Sequence, residues 1–193
     1  AVAAGHTRAS YDDMCRAVEL GMTQVTHLFN GMDSLHHRKP GVVGAGLALD
    51  GLRCQLIADN IHIHPAVLKL AVRAKGVQGI LLVSDAMSGT GMPDGHYDLG
   101  GQAVTVLDGV ARIASGAATG ALAGSTLTME RAIKNIMAAA GLSLAEALPM
   151  ASRNPALSIG LHARKGSIAE GKDADLMVLD DALNVALTMV GGE

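Results

Sequence analysis

The sequence predicts an α/β fold: half of a β/α barrel with a small β-domain beside it. Three observations carry this. Short apolar runs alternate with helical patterns, the rhythm of βα units with parallel strands. The runs at Thr23–Leu28, Arg53–Ala58 and Gly79–Ser84 are continuously or nearly continuously apolar, as in strands covered on both faces. After Ser84 that rhythm gives way to a hairpin, helices and late strands.

Taken in order, Ala1–Gly5 reads as the tail of a first strand. A helix is expected over Tyr11–Leu20, with Ser10 as N-cap, Asp13 three positions on and Gly21 just past its end. The strands Thr23–Leu28 and Arg53–Ala58 follow. A second helix spans Pro65–Lys75, with proline in its first turn, Gly76 after its end and an apolar stripe of Val67, Leu68, Ala71 and Val72. Gly79–Ser84 is the fourth strand. His96–Ser115 reads as two strands around Leu107-Asp108-Gly109-Val110, because Asp-Gly favours a tight hairpin. Thr126–Ala140 and Leu144–Ser152 are helical, and Ala174–Leu179 and Val185–Val190 are late strands that need a sheet to join. A closed barrel takes eight strands and four are visible. Half a barrel leaves two open edges and an apolar interior. The expectation is that the N-terminus is cut and that another half is supplied by a further chain, was lost or was left out.

Composition narrows the function. Hydrophobic residues make up 49% of the 193, so the chain can build a core, and with aromatics at 2% that core is aliphatic and methionine-rich. The net charge of -3 argues against nucleic acid as the main partner. No apolar run reaches the length of a membrane span. Cys15 and Cys54 are expected as reduced, buried thiols of a cytoplasmic protein.

Four polar residues fall at the C-terminal ends of the four early strands: His6, His27, His62 and Asp85. In a β/α barrel those ends form the active-site mouth. Imidazole suits zinc or iron, and a neighbouring carboxylate can serve as general base and then general acid. Singly, each has a plainer reading, as a hydrogen-bonded histidine or, for Asp85, a helix cap. Their coincidence at four strand ends points to a metal-dependent hydrolase. His36, His37, His64, His96 and His162 have no such placement and are read as solvent or structural residues.

Several blocks then meet a family. Gly5-His6-Thr7, Thr26-His27-Leu28-Phe29-Asn30-Gly31-Met32, Arg38-Lys39-Pro40-Gly41, Ile57-Ala58-Asp59-Asn60-Ile61-His62 and Val83-Ser84-Asp85-Ala86 resemble, in order, the N-acetylglucosamine-6-phosphate deacetylases of the amidohydrolase superfamily. So do Leu122-Ala123-Gly124-Ser125-Thr126-Leu127-Thr128-Met129, Asn154-Pro155-Ala156 and the run Gly166 to Leu176. The His-Leu-Phe-Asn-Gly-Met block is specific; Asn-Pro-Ala and Gly-Lys-Asp-Ala-Asp-Leu are shared by many amidohydrolases.

The resemblance implies the C-terminal half of a TIM-like (β/α)8 barrel plus part of a small β-sandwich domain. Residues 1–94 would hold barrel strands five to eight, 95–116 a β-hairpin insertion, 117–165 the last barrel helices and 166–193 sandwich strands. His6 and His27 would be metal ligands, for zinc or alternatively iron(II), and Asp85 the catalytic acid/base. Asn30, Gly31, Asp59, Asn60, Ile61, His62, Leu122, Ala123 and Gly124 would bind the amino-sugar phosphate. Arg38 would grip the phosphate across a homodimer interface, a task suited to a guanidinium. Asn60 stands where the family carries glycine, at a turn of positive φ that asparagine tolerates better than most residues. Family members supply a metal-binding Glu and a second substrate histidine from the half not in this chain. The expectation is therefore that the chain alone binds metal weakly and is inactive. Two alternatives are an N-acetylgalactosamine-6-phosphate deacetylase or other amidohydrolase, and a non-catalytic sugar-phosphate-binding subunit.

Overall fold

The computed structural model describes all 193 residues. Four short parallel strands, β1 (Ala3–Ala4), β2 (Gln24–Val25), β3 (Arg53–Leu56) and β4 (Ile80–Leu82), form one sheet in chain order. They are shorter than the apolar runs that announce them, although backbone bonds such as Thr26 N–H to the Ala4 carbonyl (2.8 Å) and Leu28 N–H to the Gln55 carbonyl (2.8 Å) continue between neighbouring runs past the strand ends. The helices α1 (Tyr11–Glu19), α2 (Gly41–Ala48) and α3 (Pro65–Lys75) connect them.

The caps explain where these helices begin and end. Ser10 Oγ accepts the N–H of Asp13 at 3.1 Å, and the Asp13 carboxylate accepts the N–H of Ser10 at 3.0 Å. His64 caps α3 by accepting the Ala66 N–H on its Nδ1 at 3.2 Å, and Gly76 ends that helix at φ +66°. Helix α2 was not expected. Its sequence, Gly-Val-Val-Gly-Ala-Gly-Leu-Ala, has no polar face, and each interior glycine costs a helix about 1 kcal/mol relative to alanine. Packing overrides that cost. A Cβ on Gly46 would stand 2.9 Å from Leu28 Cδ1 and 3.3 Å from Cys54 Sγ, so glycine lets the helix lie directly on β2 and β3.

The main core holds 23 buried residues, with Val25, Cys54, Leu56 and Ile80 of the sheet packed among Met14, Leu68, Ile133, Ile136 and Met150 of the helices. Both cysteines are free, as expected. Cys54 is fully buried, and burial pushes its thiol up to about 11. Cys15 is only half-buried, which corrects the expectation of two buried thiols.

The segment 95–116, expected as a two-stranded hairpin, contains three strands. β5 (Gly95–Leu99), β6 (Gln102–Leu107) and β7 (Val110–Ile113) make an antiparallel meander. The Asp108-Gly109 turn is where the sequence places it. The additional turn, Gly100-Gly101, has both residues at positive φ. The meander has its own core of Val104, Val106, Ala111, Met87 and Ala123.

Helices α4 (Met129–Ala140) and α5 (Leu144–Ala151) match their expected positions, and a short α6 (Arg153–Ser158) follows unannounced. α6 lies at the opposite end of the sheet from the site loops. Asn154, fully buried, donates its amide to the carbonyls of Val77 (2.7 Å) and Ile80 (2.9 Å), while Gln24 reaches the carbonyl of Ser158 at 3.5 Å. Replacing Asn154 with Ala strips both carbonyls of a buried donor, and we expect a loss of about 1–3 kcal/mol. Urea unfolding checks this; an unchanged midpoint would remove Asn154 from the account of this junction.

β8 (Leu176–Leu179) and β9 (Val185–Met189) pair only with each other, antiparallel, and Met177, Val178, Val185 and Leu187 are exposed. No helix is long and apolar enough to cross a membrane.

Candidate active site

The chain turns sharply as it leaves three of the four strands, and those turns carry the candidate residues. His6 (φ 47°), His27 (φ 30°) and Asp85 (φ 51°) all sit at positive φ, a region non-glycine residues rarely occupy. Such strain persists only where the surroundings hold it, and it concentrates at functional sites. Here the hold is visible. Asn30 donates its side-chain amide to the carbonyls of His27 (3.2 Å) and Leu28 (3.3 Å), closing the loop after β2. On the other side, Ser125 N–H donates to the Asp85 carbonyl at 2.7 Å, the Met87 N–H donates to the Ser125 carbonyl at 3.0 Å, and Ser125 Oγ bonds the Ser84 carbonyl. A Cβ on Gly124 would stand 3.0 Å from the Asp85 carbonyl oxygen, so glycine permits this seam.

These loops meet in one cleft of about 500 Å³. It is lined by His6, His27, His62, Asp85, Asn30, Gly31 and the stretch Leu122, Ala123, Gly124, all named from sequence. Leu99, Gln102 and Ile113 of the meander, with Ala86, complete the wall. Sequence reasoning missed these. The alternation in this region marks strands, but nothing in it says which sheet face turns toward the cleft. Asp59, Asn60 and Ile61 lie behind His62 and do not line this cleft. Asn60 does adopt the positive φ, 65°, where relatives were expected to carry glycine.

His6 Nε2 and His27 Nε2 stand 3.0 Å apart, with the rings nearly perpendicular. Two nitrogens sharing one tetrahedral zinc at 2.0–2.1 Å are separated by about 3.3 Å, so the pair fits a shared divalent ion within a few tenths of an ångström. His27 is 8% exposed and its Nδ1 has no hydrogen-bond partner, so Nε2 alone can offset the burial of that ring. The donor set is partial. No group of three or more His, Cys, Asp or Glu side chains stands together to hold an ion, whereas a catalytic zinc takes three protein ligands and a water.

Gly31 supports His6 from behind. It has φ +64°, and a Cβ there would stand 2.8 Å from His6 Nδ1. Gly31→Ala should therefore turn the His6 ring away from His27 and weaken divalent-metal affinity by about 10–100-fold, as disturbing a ligand's support does. Metal titration with circular dichroism as a folding control reads this; equal affinity would show that the ring does not depend on Gly31.

Arg38 is not brought to this cleft. It lines a separate one of about 520 Å³ with Arg8, Asp33 and Lys39, and its Nη1 lies 2.7 Å from His37 Nε2. The other histidines set aside from sequence include local partners, His64 as the α3 cap and His96 with Nδ1 3.0 Å from Thr105 Oγ1.

The amidohydrolase family model matches residues 1–193. An N-acetylglucosamine-6-phosphate deacetylase of Lysinibacillus sphaericus is 43% identical over 99% of this chain and 48% of its own length. An N-acetylgalactosamine-6-phosphate deacetylase of Escherichia coli O157:H7 is 41% identical over 98% of this chain and 49% of its own. The crystal structure of N-acetylglucosamine-6-phosphate deacetylase from Thermotoga maritima superposes with a TM-score of 0.92 at 40% identity, covering 99% of this chain and 51% of that one. The chain thus spans about half the length of these relatives.

Proposed function

The chain belongs to the amidohydrolase family, and from that premise we propose that it is the C-terminal half of an N-acetylglucosamine-6-phosphate deacetylase, a hydrolase acting on a linear amide C–N bond. One observation carries the reading: His6, His27, His62, Asp85 and Asn30, drawn from four separate strand ends, converge on one cleft in a chain 43% identical to such a deacetylase. The parallel sheet is read as strands five to eight of a (β/α)8 barrel. The exposed apolar ribbon β8–β9, too small to be stable by itself, is read as strands of a small β-sandwich.

His6 and His27 hold a divalent ion, zinc by preference and iron(II) as the alternative for such donors. When bound, the ion supplies Lewis acidity at the acetamide and acidifies a water. Asp85 takes a proton from the attacking water as oxygen bonds to the acetyl carbon. It then gives that proton to the amine as the C–N bond breaks, leaving acetate and glucosamine 6-phosphate. His62, Asn30 and the Leu122–Gly124 loop orient the sugar. Arg38 binds the phosphate of the neighbouring subunit's substrate in a homodimer, a role compatible with its exposure on a separate cleft. The free thiols suit the cytoplasm.

The N-acetylgalactosamine 6-phosphate activity is the second reading, favoured by the 41% identical relative of that name. One hydroxyl's orientation separates the two substrates, and only a few pocket groups read it. Acetate release from both sugars tests the proposal, with the chain alone and with the chain joined to the half its relatives carry. Release by the joined form only is the expected result. No release by either form would overturn the deacetylase reading, and release by the chain alone would overturn its incompleteness.

A further inference from the structure

The steps above leave Asp59 without a task, yet it is among the most enclosed carboxylates of the chain. Its side chain is 4% exposed, and that of His62 beside it 7%. A carboxylate so placed must have its lone pairs used. Asp59 Oδ1 accepts the N–H of Ile61 at 2.9 Å and of His62 at 2.8 Å, and Oδ2 stands 2.6 Å from His62 Nδ1. The left-handed Asn60 curls the loop so that one side chain reaches all three groups. From α4, Asn135 holds the Ala58 carbonyl at 2.8 Å, anchoring the base of the loop.

The geometry points to Asp59 as a positioning residue that locks His62 in the tautomer with its proton on Nδ1 and a bare Nε2 for the cleft. The tautomer follows from this chain alone; that Nε2 meets an amino-sugar phosphate rests on the deacetylase reading. An ionised carboxylate only accepts, so Nδ1 must donate. Burial pushes the Asp59 carboxyl up, but the hydrogen bonds from His62 and the Ile61 and His62 N–H groups outweigh it and hold it below its ordinary value. It is therefore ionised at neutral pH. The bare Nε2 accepts a hydrogen bond from a sugar hydroxyl or an amide N–H. The opposite tautomer could only donate there.

Asp59→Asn separates position from shape. Asparagine has one oxygen, and keeping it on the two backbone N–H groups turns its NH2 toward Nδ1. Nδ1 must then accept, and the proton moves to Nε2. The test is long-range proton–nitrogen correlation of the imidazoles in the nitrogen-15-labelled protein that joins this chain to the half its relatives carry, with circular dichroism confirming that wild type and variant are folded. It is run at about pH 8.5, well above the usual histidine range, with His62 assigned by the signals lost in His62→Gln. The expected result is a proton on Nδ1 in the wild type and on Nε2 in Asp59→Asn. A wild-type His62 protonated on Nε2 overturns the proposal, and does so even if Asp59→Asn fails to fold. An unchanged tautomer in a folded Asp59→Asn also overturns it. Because no acetate is measured, failure of the deacetylase reading would leave this result standing.

Discussion

Asp85→Asn lowers acetate release by about 10²–10⁴-fold, the usual span for losing a general acid–base group, in the form of the protein that joins this chain to the half its relatives carry. The amide has nearly the shape of the carboxylate but cannot take a proton from water or return one to the amine. The side chain is exposed in the cleft, and the interactions holding its loop run through main chain: the Asp85 carbonyl to Ser125 N–H, and the Ser125 carbonyl to Met87 N–H. The substitution leaves all of these in place. Fold and metal content should therefore match the wild type while turnover falls. Full activity in a folded, metallated Asp85→Asn protein would take Asp85 out of the chemistry and leave the proposed reaction without a proton carrier on this chain.

The second large effect belongs to the histidine pair. His6→Ala should reduce divalent-metal affinity by at least about 100-fold, more than disturbing a ligand's support costs, and activity should fall with it. His6 is exposed, so its removal leaves the core intact, and a thermal melt without metal should match the wild type. His27 is buried, and His27→Asn keeps much of its volume while removing Nε2. The same loss of metal is expected there, with some loss of stability. Metal content after dialysis reads both variants. If His6→Ala keeps its metal, the 3.0 Å approach of the two Nε2 atoms is only a hydrogen bond, and the ion must be held elsewhere.

Much of this was legible early because the signals were local. Ser10 and Asp13 announce the start of α1 by direct reciprocal hydrogen bonds, and Pro65 and Gly76 bound α3 through their own backbone preferences. The strand ends were legible because each apolar run gives way to a polar residue, and the fold gathers those residues along one cleft. α2 was not. Three glycines argue against a helix locally, and only the need to pack closely on β2 and β3 selects them. α6 was missed for a related reason. It is six residues long, contains Pro155, and owes its place to Asn154 reaching across to Val77 and Ile80, more than seventy residues away in the chain.

The sequence by itself indicated the α/β class, the positions of the parallel strands and the candidates His6, His27, His62 and Asp85. Each depends on neighbours close in the chain or on residue chemistry. Tertiary structure decided what those residues share. It set the two imidazoles 3.0 Å apart and brought Leu99, Gln102 and Ile113 across from a separate sheet to close the cleft. It also placed Asp59 behind His62 and not along the cleft wall. Distances between elements far apart in the chain are set by how their apolar faces pack, and no local pattern records that.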